Sequence, residues 1–268
     1  MSSSTSRLAK LFLRYAAPLA GLRRLPVIGP CVRWASGKLI PRDALVWVQV
    51  RQGPARDLWL RLNPRTGRNY FEGGGEAEVQ AALVQYLRPG MTFYDIGANI
   101  GFFSLLAARL VGKEGRVIAF EADPQAAERL RENVAQNDFS SSVTVEEKAV
   151  WKETTTISFV RADPNSSPDR GLGHVDLSPT AGDALPVRAV SLDDFVSNAP
   201  APDFLKCDVE GAEVEVFLGA RRLLSQKQPG ILCELHGREN RRILEEEFSR
   251  FGYSCRLCGE YHLLAIPH

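Results

Sequence analysis

Residues 95–101, with the sequence DIGANIG, constrain the fold of this chain more than any other segment. Residues 91–96 give the pattern of a buried strand, and residues 102–110 give that of an apolar helix that ends at Gly112. The chain must therefore turn sharply from a strand into a helix. In α/β proteins this is the place where nucleotide-type cofactors bind.

The glycine spacing in this turn argues against the common phosphate-binding motifs. Gly97 and Gly101 are separated by three residues, so the turn lacks the G-x-G-x-x-G of dinucleotide-binding folds. Phe102 and Phe103 follow, where a P-loop needs Lys and then Ser or Thr. Asn99 suits the left-handed conformation that a tight turn requires. The turn therefore predicts a cradle for a nucleoside that carries no pyrophosphate.

An acidic residue at the end of the second predicted strand supports this interpretation. Residues 117–121 read VIAFE, so Glu121 follows four apolar residues. A carboxylate at this position can accept hydrogen bonds from two ribose hydroxyls. The combination favours S-adenosylmethionine as the cofactor, and the alternative is an ordinary strand-to-helix turn in an α/β protein.

Length and charge limit the classes of protein that fit. A chain of 268 residues with 44% hydrophobic residues can form one large α/β domain with an extension. Residues 1–42 hold eight of the 33 Lys and Arg residues and no acid, so the rest of the chain carries 25 basic against 32 acidic residues. A mildly acidic body with a basic leader argues against nucleic-acid binding.

Residues 1–45 are predicted to form a basic amphipathic extension. Apolar residues recur there at helical spacing, with an interruption at Pro18, namely Leu8, Leu11, Phe12, Tyr15, Leu19 and Leu22. Such a segment is typical of an organellar transit peptide, of a helix on an anionic membrane surface, or of a helix docked on the domain or on a second subunit. No apolar run approaches the roughly 20 residues of a membrane span. We expect a cytoplasmic protein, and peripheral membrane contact, organellar targeting and a homodimer stay open.

The cysteines predict neither disulfides nor a strong metal site. The chain has an odd number of them, scattered through predicted strands: Cys31, Cys207, Cys233, Cys255 and Cys258. This favours a reducing compartment. Cys255 and Cys258 with His262 offer three zinc ligands, but the motif lacks a clear fourth ligand.

Strand and helix patterns alternate along the rest of the chain. Strands are predicted at residues 143–150, 203–208, 231–235, 253–257 and 261–266. Helices are predicted after Asp123, from residue 212 to residue 224, and before Gly252. The alternation predicts a mainly parallel, doubly wound sheet. Ala149 would end the third strand, where an adenine ring could lie against it.

Residues 152–200 form the least regular region of the sequence. They contain five prolines and two short strand-like runs, at residues 156–160 and 187–190. Loops of this kind often determine which substrate is bound. His174 lies in the middle of this region and is a candidate catalytic residue.

Four motifs together resemble the FkbM family of S-adenosylmethionine-dependent methyltransferases. They are MTFYDIGANIGF at 91–102, AFEADP at 119–124, SLDDF at 191–195 and LKCDVEGAE at 205–213. The resemblance extends over about residues 70–264 and leaves the basic extension outside. The family more often has Pro at the position of Ala122 and an aliphatic residue at that of Cys207, and neither change threatens cofactor binding.

The resemblance implies a fold and an activity. The fold is the class I methyltransferase (Rossmann-like) α/β architecture, with a seven-stranded, mainly parallel, doubly wound sheet, here within residues 46–268. The implied activity is methylation of hydroxyls on sugars, lipid-linked glycans or polyketide-like products. Two alternatives stay open: an N- or carboxyl-methyltransferase of the same fold, and a binding module for S-adenosylmethionine that has lost catalysis.

The cofactor is expected to lie at the carboxyl ends of the strands, where several polar residues should converge. The expected cofactor-binding residues are Asp95, Gly97, Asn99, Gly101, Glu121, Ala149 and Asp208. Asp95 would help to hold the ammonium group of the cofactor, and Asp208 would face its methionine end.

A hydroxyl acceptor needs a base, because it is a poor nucleophile until its proton is taken. His236 follows the fifth predicted strand and is the first candidate, since the ordinary pKa of histidine lies near neutrality. His174 and Glu210 are the further candidates. In the alternative interpretation, His236 only caps the loop that follows the strand.

A metal is a second possibility for activating the acceptor. Asp208, Glu210 and Glu213 place three carboxylates within six residues, and such a group could hold Mg²⁺, with Asp208 and Glu210 as its main ligands. Acids at the start of a helix are also favoured by the helix dipole alone. We therefore expect the reaction without a metal.

Overall fold

The computed structural model describes residues 44–63, 67–160, 174–175 and 184–268. The predicted extension at 1–45 lies almost entirely outside these ranges. The chain forms two compact units, which divide between Gly75 and Glu76. None of the helices in the described ranges combines the length and the apolar character that a membrane crossing demands.

The first unit contains a hairpin and a short helix. Strands β1 (Val46–Gln49) and β2 (Trp59–Leu62) pair antiparallel, and α1 covers Arg68–Glu72. The side chains along both strands alternate between buried and less buried, as expected for strands with one buried face.

The second unit is built on a seven-stranded sheet with the strand order β12-β13-β11-β10-β3-β4-β5. Its strands are β3 (Thr92–Ile96), β4 (Arg116–Phe120), β5 (Val143–Glu146), β10 (Phe204–Cys207), β11 (Gly230–Glu234), β12 (Tyr253–Cys258) and β13 (His262–Pro267). The five strands from β11 to β5 are parallel, and β13 runs antiparallel between β11 and β12. The predicted seven-stranded, mainly parallel α/β sheet is confirmed.

Seven helices of the described residues accompany this sheet. They are α2 (Ala77–Tyr86), α3 (Phe102–Val111), α4 (Pro124–Gln136), α5 (Leu192–Phe195), α6 (Glu213–Leu218), α7 (Arg221–Gln226) and α8 (Arg238–Arg250). Apolar residues of α6, α7 and α8 form one core with alternate residues of the central strands, such as Tyr94 and Ile96. Asp95 points the other way and bonds to Ser104 of α3. The strand ends are therefore supported by helices on both faces.

A second sheet follows the third parallel strand, with the order β6-β9-β7-β8. Its strands are β6 (Ala149–Val150), β7 (Thr155–Val160), β8 (His174–Val175) and β9 (Ala184–Val190). Strands β7 and β9 pair antiparallel, so the two strand-like runs predicted in the irregular region are confirmed. The single strand predicted at 143–150 is wrong. The backbone turns at Lys148, whose N–H bonds to the carbonyl of Glu146, and Ala149 then joins β9.

The single helix predicted from residue 212 to residue 224 is also wrong, because α6 and α7 are separate. Gly219 lies at the break, where a Cβ atom would come within 2.3 Å of the backbone oxygen of Trp151. The backbone oxygen of Gly219 accepts a hydrogen bond from Asp193 N–H instead of continuing a helix. Tertiary packing thus ends a helix that the apolar periodicity would have continued.

Candidate active site

The turn after β3 has the backbone that its sequence predicts. Gly97, Asn99 and Gly101 all have positive φ angles, of 76°, 50° and 88°. A Cβ atom on Gly97 would lie 1.8 Å from the carbonyl oxygen of Asp208, so only glycine allows the turn to approach the end of β10. On Gly101 a Cβ atom would lie 2.1 Å from a side-chain carbon of Leu130. Both glycines are therefore required by close packing as well as by conformation.

Glu121 ties the turn to the end of β4. Its carboxylate accepts hydrogen bonds from the backbone N–H groups of Asn99, at 2.7 Å, and Asp123, at 2.8 Å. Burial raises the pKa of this carboxyl group to about 7. A carboxylate can accept about four hydrogen bonds, so two backbone donors leave room for the hydroxyls of a ribose.

Lys206 is the buried cation at the centre of the strand ends. Its ammonium group lies 3.7 Å from Asp95 Oδ1 and 3.3 Å from Asp208 Oδ2, and both Lys206 and Asp95 are almost completely buried. Asp95 Oδ2 accepts a hydrogen bond from Ser104 at 2.5 Å, whereas Asp95 Oδ1 has no hydrogen-bond partner in the described part of the chain. Burial raises the pKa of Asp95, and the charge of Lys206 opposes that rise.

His236 lies just beyond the end of β11, between two carboxylates. Its Nδ1 is 2.7 Å from Glu213 Oε1, and its Nε2 is 3.2 Å from Glu210 Oε2. Glu213 is fully buried and also accepts hydrogen bonds from Gly211 N–H and from the side-chain amide of Asn240. Glu213 therefore fixes the imidazole, and two further hydrogen bonds fix the Glu213 carboxylate itself.

This arrangement argues against the role of general base that the sequence predicts for His236. Hydrogen bonds to Glu210 and Glu213 raise the pKa of His236 to about 11, so the imidazole is protonated at neutral pH. In this protonated form both ring nitrogens donate to carboxylates, and neither has a free lone pair for the proton of an acceptor. The expectation of a histidine base relied on the ordinary pKa of an isolated histidine, which Glu213 and Glu210 change.

Asp208, Glu210 and His236 each offer one ligand atom to a possible metal ion, all within 4.8 Å of one another. The candidate magnesium ligands therefore do lie together. Each already has an oppositely charged partner, because Lys206 contacts Asp208 and His236 contacts Glu210. A cation would have to displace those partners, and Glu213, the third predicted carboxylate, is occupied in the same way.

Three other sequence predictions have different outcomes. Ala149 is buried in a small cluster with Trp151 and Ala212, and its contact with adenine stays a prediction. His174 has its backbone in β8, and its side chain lies outside the described part of the chain. The zinc set of Cys255, Cys258 and His262 is not assembled, because residues three apart in one strand point to opposite faces.

Sequence reasoning missed two residues of the site, Lys206 and Glu234, and it considered Glu213 only as a possible metal ligand. Lys206 was visible as a charged residue inside an otherwise apolar strand, which is rare unless the charge is paired. Glu234, the last residue of β11, faces both His236 and His262 at under 4 Å. Glu213 gave a misleading signal, because an acid at a helix start is common without any functional role.

The chain was compared with known protein families and proteins. The family model described as "Methyltransferase FkbM domain" matches residues 95–255. The chain is 27% identical to the hexuronic acid methyltransferase AglP of Haloferax volcanii, over 60% of the chain and 63% of that protein. It is 28% identical to the 31-O-demethyl-FK506 methyltransferase FkbM of Streptomyces tacrolimicus, over 74% of the chain and 80% of that protein.

Another relative shares a shorter segment. The chain is 30% identical to the arsenite methyltransferase of Halobacterium salinarum over 51% of its length, and this match spans 34% of that protein. The chain thus spans about a third of the length of the arsenite methyltransferase and less than two thirds of that of the hexuronic acid methyltransferase. The relatives have different acceptors in their names, whereas methyl transfer is common to all of them.

Proposed function

The chain belongs to the methyltransferase FkbM family, and from this premise we propose that it uses S-adenosylmethionine to methylate a hydroxyl group. The acceptor hydroxyl belongs to a sugar, a glycan, a lipid-linked molecule or a polyketide-like molecule. The observation that carries the proposal is the pair formed by Glu210 and His236, partly exposed at the ends of β10 and β11.

Two structural observations fit the cofactor. Glu121 has hydrogen-bonding capacity left for ribose hydroxyls after binding two backbone N–H groups. Asp95 has a buried oxygen without a hydrogen-bond partner among the described residues, which suits a donor such as an ammonium group. When bound, S-adenosylmethionine supplies a methyl group on a positively charged sulfur. The contacts of Asp95, Ala149 and Asp208 with it are part of the proposal.

Glu210 is the residue that we assign to take the proton of the acceptor. His236 cannot do so, because carboxylates already engage both of its ring nitrogens. Glu210 lies in the left-handed conformation, with φ at 53°, and its side chain is partly exposed. The hydrogen bond from His236 fixes the direction of the Glu210 carboxylate. His236 is thus a positioning residue, and Glu213 in turn holds His236.

The reaction is proposed to proceed without a metal at Asp208 and Glu210. Lys206 and His236 already neutralise these two carboxylates, and Mg²⁺ prefers an octahedral shell of oxygen atoms that still contains water. Activity that survives a strong chelator would support this part of the proposal. Complete loss in the chelator, with recovery on adding Mg²⁺, would overturn it.

Two relatives support an oxygen acceptor. The names of the hexuronic acid methyltransferase and the 31-O-demethyl-FK506 methyltransferase both point to oxygen-rich molecules. A uronic acid offers hydroxyls and a carboxylate, so carboxyl methylation is the second candidate function. Nitrogen methylation is the third, and it needs less help from a base because a neutral amine is already nucleophilic.

The test is incubation of the full chain with methyl-labelled cofactor and a panel of acceptors. The panel contains uronic-acid glycans, neutral glycans and macrolide alcohols, with matched amines as the comparison, and products are identified by mass spectrometry. We expect label on a hydroxyl-bearing acceptor. Dilute alkali separates the two oxygen products, since it releases methanol from a methyl ester and leaves a methyl ether intact.

Variants of the proposed base sharpen this test. Glu210→Gln should lower the turnover number by about 10²-fold or more with little change in cofactor affinity. Glu239→Gln, in an exposed ion pair on α8, is the matched control and should retain activity. Label found only on amines or only as an alkali-labile ester would overturn the hydroxyl proposal. Cofactor binding without methylation of any acceptor would instead indicate a non-catalytic module.

A further inference from the structure

A second histidine, His262 at the start of β13, lies in an environment that its neighbours leave unsatisfied. Its side chain is only 3% exposed, yet neither ring nitrogen has a hydrogen-bond partner among the described residues. A buried polar group without a partner costs about 1–3 kcal/mol, so such groups are rare in native proteins. The position therefore calls for a ligand.

Two carboxylates face the Nε2 atom of this histidine. Glu76 Oε2 and Glu234 Oε2 each lie 3.7 Å from His262 Nε2, which is too far for a hydrogen bond. Glu76 Oε2 is itself buried without a hydrogen-bond partner in the described residues. One ligand atom from each of the three residues lies within 4.8 Å of the other two. The three side chains thus point at a common space without bonding to one another.

The spacing of these atoms suits a metal ion. Ligand atoms at about 2.0–2.2 Å from a tetrahedral zinc ion lie roughly 3.3–3.6 Å apart. The observed 3.7 Å separations are close to that range, and a small movement of flexible Glu side chains would close the difference.

The other side of the imidazole supports the same conclusion. Glu78 Oε1 lies 3.8 Å from His262 Nδ1, opposite the Nε2 atom that faces Glu76 and Glu234. Histidines that bind metals usually donate their second N–H to a carboxylate, which orients the ring. The described residues thus contain both the ligands of such a site and the carboxylate that would orient its histidine.

We propose that His262, Glu76 and Glu234 bind a divalent transition-metal ion of the Zn²⁺ or Mn²⁺ type. One imidazole nitrogen and two carboxylate oxygens suit these ions better than Mg²⁺ or Ca²⁺, which prefer oxygen alone. The ion would join the residue before α2 to the end of β11 and the start of β13. Three protein ligands leave a coordination position open. The proposal does not depend on which acceptor is methylated.

Competing positions for a metal are less suitable. Asp208 and Glu210 already have Lys206 and His236 as partners, so a cation gains less there. The thiol of Cys258 is within 3.8 Å of the backbone oxygen of Glu78, as expected for a weak donor that already has an acceptor. The His262 site differs because three of its buried atoms have no hydrogen-bond partner among the described residues, namely both ring nitrogens of His262 and Glu76 Oε2.

The test is a calorimetric titration of Zn²⁺ into the full chain, prepared without a histidine tag and stripped with a chelator. We expect one ion per chain, with tighter binding than for Mg²⁺ added in the same buffer. Glu76→Gln and His262→Asn should each weaken the affinity by at least about tenfold. Electron paramagnetic resonance of bound Mn²⁺ gives a second readout, independent of activity.

Two controls locate the ion. Cys258→Ser and Glu210→Gln should bind Zn²⁺ like the wild type. Circular dichroism checks that the variants fold, and Glu76→Gln keeps the size of the side chain, so it serves if His262→Asn does not fold. The proposal is overturned if the stripped wild type does not bind Zn²⁺ or if Glu76→Gln binds it unchanged. Loss of binding in Glu210→Gln or Cys258→Ser alone would also overturn it.

Discussion

His236 and His262 lie on either side of one carboxylate, yet their environments differ completely. Glu234 is 3.8 Å from His236 and 3.7 Å from His262. Carboxylates surround both imidazoles. His236 follows β11 and His262 begins β13, at the same end of the sheet. His236 makes close hydrogen bonds with its carboxylates, whereas no hydrogen bond to His262 forms within the described residues.

The difference shows that the residue types around a histidine do not determine what it does. A histidine bonded at both nitrogens is a fixed cation, which can orient a neighbouring base but cannot accept a proton. A buried histidine without bonds still has a lone pair to offer to a ligand. The carboxylate oxygens lie 2.7 and 3.2 Å from the two ring nitrogens of His236, but 3.7 or 3.8 Å from those of His262. This small difference in distance accounts for the two roles.

The largest expected effect comes from removing the charge of Lys206, which neutralises the carboxylates of Asp95 and Asp208 at the strand ends. Lys206→Met should lower the free energy of unfolding by about 3–5 kcal/mol, because it leaves Asp95 as an uncompensated buried charge. Chemical denaturation measures this. The double variant Asp95→Asn with Lys206→Met should recover most of the loss. If Lys206→Met alone were as stable as the wild type, Lys206 would not be compensating the buried charge of Asp95.

The next prediction tests the contrast between the two histidines directly. Glu213→Gln should cost about 2–3 kcal/mol, since hydrogen bonds to a buried charged group are lost around His236. Glu76→Gln should change the stability of chelator-treated protein by less than about 1 kcal/mol, because no hydrogen bond to its buried oxygen is lost. Denaturation of both variants in the same buffer gives the comparison. Equal losses would contradict the contrast.

Glu121 contacts backbone N–H groups rather than either histidine, so its titration gives an independent comparison. Burial raises the pKa of Glu121 from the ordinary value of a glutamate to about 7, so its contribution to stability falls as the pH rises through this window. Ribose hydroxyls need the ionised form as acceptor. Cofactor affinity should therefore fall about tenfold from about pH 8 to about pH 6.

Calorimetric titration with S-adenosylmethionine at several pH values checks this expectation. Glu121→Gln should bind weakly and without that pH dependence, whereas Glu76→Gln should retain it. A flat affinity in the wild type would contradict the assignment of Glu121 to the ribose.

The smallest expected effect concerns the support of Glu213. Asn240→Ala removes one amide donor, at 2.9 Å from Glu213 Oε2, and should cost about 1 kcal/mol. Thermal unfolding measures the loss, and an exposed α8 substitution such as Glu239→Gln is the control. An effect as large as that of Glu213→Gln would show that Asn240, rather than the His236 pair, dominates this part of the site.

The sequence predicted most of the second unit correctly. The strand, turn and helix around Gly97 and Gly101 were predictable because local periodicity and glycine conformations determine them. Two element boundaries were wrong, at Lys148 and at Gly219, because packing against distant strands determined them. Asp208 and Glu210 were identified as strand-end residues. Of their cationic partners, His236 was identified from the sequence but expected to be a base, and Lys206 was not identified.

The sequence by itself determined the cradle, the acid at the end of the second strand and the order of strands and helices, because these depend on neighbours within a few residues. Only the tertiary structure decided the state of the histidines. Glu213 reaches His236 from 23 residues away, and Glu76 approaches His262 from a distant part of the chain. Such contacts depend on how helices pack on the sheet, and a pKa or a metal site depends on ångström-scale distances that local sequence patterns do not encode.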